Sequence, residues 1–397
     1  VNTVLIVAGL SAICSLIISF YLSKNKQKVI AVCAVITLGL IGSFQQGIKQ
    51  FERRFTGYFT SPVTSLNRLR SSNIKHRLED WAWDSYSRTD IIEIVDAPLS
   101  KIIAIDGGSN STMFRFDGDL DKFQNLKSDL MYFPFLLGEN KKTLLIGAGG
   151  GKIILQALLA GSKKIDVLEI NRGTVRMAGK YAEYNGWIYD REEVNVFIQD
   201  GRNFVKQTRE KYDHIYLSQA MSDAAGTAGY SMAENFIYTR EAIEDYWNAL
   251  GYNGRLTFIL HGSKDMTRLI STVLETLKEF GIKKNQISKH IVIINDGSYT
   301  GNPDAINIPV VTIKKTPFTQ YKMTKLINLI RTNKYGTLHL PYIADRGFID
   351  QFLQITNKNK QFYNYSSLNI DPTTDDRPYF YDFNRGINYT LLTLLGG

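Results

Sequence analysis

Residues 142–159 read KTLLIGAGGGKIILQALL. A short apolar run leads into five small residues, Gly147-Ala148-Gly149-Gly150-Gly151, and these open onto a segment whose apolar residues recur at helical spacing. A strand that turns through glycines into a helix is the opening βα unit of a doubly wound sheet. The alternation continues outward from it. KIDVLEI (164–170), VNVFIQ (194–199), YDHIYLS (212–218), GRLTFIL (254–260), HIVIIN (290–295) and PVVTIKK (309–315) read as strands. Between them, GTVRMAGKYAEYN (173–185), GRNFVKQTR (201–209), EAIEDYWNAL (241–250) and DMTRLISTVLETLKEFG (265–281) read as helices. Apolar strands joined by helices require a mostly parallel sheet covered on both faces, an α/β fold.

Upstream, DIIEIVD (90–96) and SKIIAIDGG (100–108) predict a small antiparallel β unit, and the apolar spacing from Leu120 to Leu137 predicts a helix that delivers the chain to the sheet. Further upstream the composition changes. Residues 1–22 and 29–48 carry no charge, and each run is long enough to cross a bilayer core, so 1–48 is expected to form two transmembrane helices. Lys24, Lys26 and Lys28 fill the short turn between them. Lys49, Arg53, Arg54, Arg68, Arg70, Lys75 and Arg77 follow. The larger basic cluster places the bulk of the chain on the cytoplasmic side of a cell (inner) membrane and in contact with anionic lipids.

This belt accounts for most of the formal charge of +9, from 47 basic and 38 acidic residues, and no base-stacking motif accompanies it, so nucleic acid is not the expected partner. The 397 residues include 31 Gly, 9 Pro and two cysteines, Cys14 and Cys33, which excludes a disulfide framework, a four-cysteine zinc site and a low-complexity chain. No metal is expected. The chain opens on Val1 and closes on the apolar INYTLLTLLGG (387–397), so it is expected to be cut at both ends. The expected divisions are 1–48 membrane helices, 49–80 basic linker, 81–137 β unit with connecting helix, 138–335 open-sheet domain and 336–397 extension.

The chemistry collects at the carboxyl ends of the strands. Gly147, Gly149 and Gly151 let backbone approach a ligand, Glu169 ends the second strand where a carboxylate can accept both hydrogens of a ribose diol, and Asp200-Gly201 ends the third, where an Asp can meet an adenine amino group. The chain has no phosphate loop of the type G-x-x-x-x-G-K-[ST]. Together these residues predict a nucleoside pocket.

The stretches LLIGAGGGKIILQALL, VLEIN, IQDGRNFV and KYDHIYLS, with IIEI and IAIDGGSN before them, resemble the spermidine synthase family over roughly residues 81–335. TTDDRPYFY (373–381) resembles the end of the soluble domain in the membrane-spanning branch of that family. The resemblance implies a seven-stranded methyltransferase-like sheet behind a small β domain. It also implies transfer of an aminopropyl group from decarboxylated S-adenosylmethionine to a small amine, with Asn110 in place of the Gln of an L-D-G-x-x-Q element. The family carries a catalytic Asp at the end of strand four. The matching position here is Ser218, whose hydroxyl cannot serve as that base. The family's acid in its glycine run is here Gly150, and its Tyr-His-Glu element is here Leu126-Lys127-Ser128-Asp129.

The loop QAMSDAAGTAGYSMAENF (219–236) is expected to close over the substrates, with Asp223 as a replacement base and Tyr230 lining the acceptor site; a solvent-facing Asp223 is the plainer reading. His261 reads as a turn histidine or a second base. Three functions stay open at this point: a membrane-anchored aminopropyltransferase-like enzyme, a methyltransferase using S-adenosylmethionine, and a non-catalytic membrane protein that keeps the fold to bind a partner. Membrane lipids, a small amine or other acceptor, and a second copy or other membrane subunits are the partners these readings imply.

Overall fold

A computed structural model of the chain describes residues 74–84, 87–106, 109–219, 234–297, 306–345 and 368–383, with single positions at 14, 15, 18, 20, 21, 69 and 72. The chain divides into two compact units, Val1–Pro62 and Val63–Gly397. In the first, the described positions are helical. No helix among the described residues is long and apolar enough to cross a membrane, and the two spans expected in 1–48 lie almost wholly outside those residues.

The second unit holds two sheets. Strands β1 (His76–Trp83), β2 (Arg88–Ile94), β3 (Ser100–Ile105) and β4 (Ser109–Phe114) form an antiparallel meander in chain order. Its side chains alternate between faces, as a period of two requires. Ile91, Ile103 and Met113 gather against Met177 of helix Arg172–Lys180, while Ile92 and Ala104 face the other way, with Leu69 and Leu78.

The larger sheet comprises β5 (Lys142–Ile146), β6 (Lys164–Leu168), β7 (Val194–Phe197), β8 (Tyr212–Ser218), β9 (Leu250–Ile259), β10 (Ile291–Asn295), β11 (Val310–Lys314), β12 (Gly336–Leu340) and β13 (Ala344–Asp345). They lie in the order β13-β12-β10-β11-β9-β8-β5-β6-β7. From β7 to β9 every pairing is parallel. β11 runs antiparallel to both β9 and β10, so β10 points the same way as the parallel five. The sheet has nine strands where seven were expected; β12 and β13 add an antiparallel edge from residues too short and mixed in pattern to announce a strand. Both faces are buried. Leu144 packs in one core cluster and its neighbour Leu145 in the other.

The helix expected from Leu120 to Leu137 is instead two 3-10 stretches, Leu120–Ser128 and Leu130–Leu137. Asp129 separates them because its side chain accepts from Met131 N at 2.8 Å, an Asx turn that competes with the helical bond. Pro134 then supplies no N–H. Tyr216 Oη of β8 takes the Met131 carbonyl at 2.9 Å, and buried Arg255 of β9 takes carbonyls at the end of the stretch, donating to Pro134 O at 2.8 Å and Glu139 O at 2.6 Å. Residues 368–383 return over the molecule. Ile370, Phe380 and Tyr381 are buried in the core, and Phe380 stacks on Tyr238 at 4.4 Å.

Candidate functional site

The glycine run at the end of β5 turns through positive φ at Gly147 (81°), Gly149 (55°) and Gly151 (91°), conformations that side chains rarely adopt. Its backbone is held at each step. Gly147 N donates to Leu168 O at 2.9 Å, Gly149 N to Glu169 Oε2 at 3.3 Å and Gly150 N to Ser111 Oγ at 3.0 Å, while Tyr189 Oη donates to Gly149 O at 2.6 Å. Strand β4 therefore packs directly on the loop. A Cβ at Gly150 would lie 2.5 Å from Thr112 O and 2.7 Å from Met113 N, so the place an acid would need is filled by the backbone of β4. Gly151 lines neither of the cavities described below; its Cβ direction faces Ile188, and it starts helix Lys152–Leu159.

Glu169, just past β6, is buried. Burial pushes its carboxyl above the usual carboxylate range, against the opposing pull of the N–H groups of Asn171 and Gly149. Its two oxygens are thus aimed by backbone: Oε1 accepts from Asn171 N at 3.0 Å and Oε2 from Gly149 N. Two cavities are lined by Glu169. One, of about 320 Å³, is lined by Asn110, Ser111, Gly149, Lys152, Gln156 and Ser218 among others. The other, of about 540 Å³, is lined by Ile170, Asp200, Gly201, Arg202, Phe236 and Asp375 among others. Gly147 and Glu169 line both.

The structure therefore brings Gly147, Glu169, Asp200 and Gly201 to one cavity and Asn110, Gly147, Gly149, Glu169 and Ser218 to the other. Asp200 also caps helix Gly201–Gln207, accepting from Asn203 N at 2.9 Å. Asp223 and Tyr230 lie outside the described residues. Gln219, the residue after β8, has a φ of 41° and its amide meets His261 Nδ1 at 3.2 Å. The sequence reading missed several lining groups. Lys152 and Gln156 sit four apart on one helix, a spacing that puts them on one face and was available in the sequence. Arg202 and Asp375 were not foreseen as lining groups: buried Arg202 donates to Asp245 at 2.6 Å and to Asp375 at 3.1 Å, bringing a residue from 173 positions away to the cavity wall. Among the described residues, no three His, Cys, Asp or Glu side chains group as a metal site would need.

Residues 124–292 match the model of the spermine/spermidine synthase domain. The polyamine aminopropyltransferase of Serratia proteamaculans (strain 568) is 32% identical over 130 residues, which are 32% of this chain and 42% of that protein. That of Saccharolobus solfataricus is 25% identical over 199 residues, 49% of this chain and 61% of that protein. The chain thus spans between about two fifths and three fifths of the length of these curated relatives. Among solved structures, the spermidine synthase from Thermotoga maritima is 19% identical with a TM-score of 0.46, covering 71% of this chain and 89% of that one. A probable spermidine synthase from Corynebacterium glutamicum is 12% identical with a TM-score of 0.48, covering 70% and 94%. Over this central stretch the chain is similar to the spermine/spermidine synthase domain and to polyamine aminopropyltransferases.

Proposed function

We propose that the chain is a membrane-anchored, aminopropyltransferase-like enzyme that holds an adenosyl sulfonium donor across Glu169 and passes an alkyl group from its sulfur to an amine. One observation carries this reading: Glu169 and Gly147 line both cavities. A ribose on Glu169 would send its purine toward Ile170 and Asp200 and its sulfonium toward Gly149 and Ser218. Ile170 is more than half exposed at the cavity wall, an apolar face for a purine ring. The names of the curated relatives supply the reaction class, and decarboxylated S-adenosylmethionine is the donor that the family implies.

In such a transfer the amine must arrive neutral, because a protonated nitrogen has no lone pair with which to attack carbon. The sulfonium loses its charge as the carbon leaves, so the site needs shape and alignment more than charge stabilisation. Ser218 at the cavity wall contributes a hydroxyl that can hold the amine but cannot deprotonate it. Calorimetry with methylthioadenosine tests the pocket: micromolar binding that Glu169→Ala weakens is expected, and no heat from the wild-type chain would leave the reading without a site and return a partner-binding protein in its place.

The anchoring is supported by the two charge-free runs 1–22 and 29–48 and by the basic residues that follow. Its test is extraction of membranes with alkaline carbonate, where retention in the pellet is expected and release to the supernatant contradicts it.

A further inference from the structure

The cavity on the sulfonium side of Glu169 carries a polar pattern unsuited to a cationic tail. Lys152 lines it, with its ammonium 2.6 Å from Asp129 Oδ2, a pair that leaves two of its three donors for other partners. One turn further along the same helix, Gln156 is wholly buried and lines the same cavity, and neither its Nε2 nor its Oε1 has a hydrogen-bond partner. A buried amide with both atoms unmet is costly, and a ligand that supplies an acceptor and a donor removes that cost. At Gly150, where an acid would receive the amine of an aminopropyl chain, the backbone of β4 occupies the space. Among the described lining residues the one carboxylate is Glu169, whose oxygens are already aimed by Asn171 N and Gly149 N.

An aminopropyl tail ends in an ammonium alone: it donates, carries positive charge and faces Lys152. An amino-acid tail ends in a carboxylate beside an ammonium. The first can take the free donors of Lys152 and Gln156 Nε2, and the second can give to Gln156 Oε1. We propose that the donor keeps its carboxylate: the sulfonium-side cavity takes the amino-acid end of S-adenosylmethionine, and the group transferred is 3-amino-3-carboxypropyl. This rests on the reading of the two cavities as a donor site. In the step, the acceptor nitrogen attacks the chain carbon bonded to sulfur, the new C–N bond forms as the C–S bond breaks, and its electron pair returns to sulfur. Neutral methylthioadenosine leaves, and the nitrogen sheds one proton to water. The attacked position and the leaving group are those of aminopropyl transfer; the charge of the tail differs.

The test is calorimetry of the full chain with methylthioadenosine, S-adenosylmethionine and decarboxylated S-adenosylmethionine. At least tenfold tighter binding of S-adenosylmethionine than of its decarboxylated form is expected. Lys152→Met and Gln156→Glu should each erase that preference while methylthioadenosine, which lacks the tail, binds unchanged and so reports a folded pocket; Lys152→Arg should retain it. Equal or tighter binding of the decarboxylated donor, with methylthioadenosine still bound, overturns the inference and leaves the donor site standing. Absence of methylthioadenosine binding to the wild-type chain overturns both. With S-adenosylmethionine and a panel of diamines, released methylthioadenosine supports the transfer step. Release of S-adenosylhomocysteine, or of neither nucleoside, overturns that step.

Discussion

At Gly150 the absence of a side chain decides what the glycine loop can touch. A methyl group there would meet Thr112 O and Met113 N, two backbone groups of β4 that cannot swing aside. Gly150→Ala is therefore expected to cost about 1–3 kcal/mol, as overpacking does, read as a fall in the denaturant midpoint. Gly179, inside helix Arg172–Lys180, has open space at the same position, so Gly179→Ala should raise the midpoint by the equivalent of about 0.5–1 kcal/mol. Glu169 gives a pH signature. Its folded pKa is raised, so its contribution to stability is fully present below the unfolded value and declines as pH climbs through the raised one. A ribose diol bound as proposed, by contrast, would need the ionised carboxylate as acceptor of both its hydrogens. Affinity for methylthioadenosine should accordingly rise with pH through an inflection above the ordinary carboxylate range, and Glu169→Gln should flatten that rise and weaken binding about tenfold or more. Gly147, Glu169 and Asp200 were legible because a strand end fixes where such residues go. The spacing of Lys152 and Gln156 gave their shared face but not the cavity on it, since a mostly apolar helix does not tell from sequence which of its polar groups faces a cavity and which faces the core.

Among the elements, β8, β9 and the second 3-10 stretch are locked by one buried polar chain. Arg255 donates to His214 Nδ1 at 3.0 Å, so the ring carries its proton on Nε2 and donates to Thr257 Oγ1 at 2.9 Å, whose own hydroxyl reaches Thr312 Oγ1 at 3.0 Å. Burial, with the Arg255 charge beside it, holds His214 well below the usual imidazole value. The unfolded chain takes up a proton near pH 6.5 that the folded site refuses, so stability from this group is present above that pH and lost as pH falls below it, by up to about 1.4 kcal/mol per unit. Chemical denaturation at pH 7, 6 and 5 should show the decline, with a smaller slope in His214→Asn. The same elements explain why a helix was expected at 120–137. The apolar spacing is helical, but an Asx turn and a proline break the ladder, and the guanidinium that receives the carbonyls at its end lies about 120 residues later, beyond any local pattern.

On the scale of the whole molecule, the open sheet was legible from the regular alternation of buried strands and amphipathic helices, whereas β12, β13 and the return of 368–383 were not. That return is secured by long-range bonds: Arg268 donates to Tyr379 O and Phe380 O at 2.8 Å each, and Thr373 Oγ1 donates to Tyr238 O at 2.8 Å. Phe380 is fully buried, so Phe380→Ala should destabilise the chain by about 3–5 kcal/mol, measurable as a lowered melting temperature. The position of Asp375 beside Arg202 has a practical corollary for anyone trimming the gene. A fragment cut to the matched segment 124–292 would surrender a wall of each cavity, Ser111 from the residues before it and Asp375 from those after. A piece that keeps every lining residue of both cavities together with the buried return of the chain runs instead from the start of β1 to Phe383.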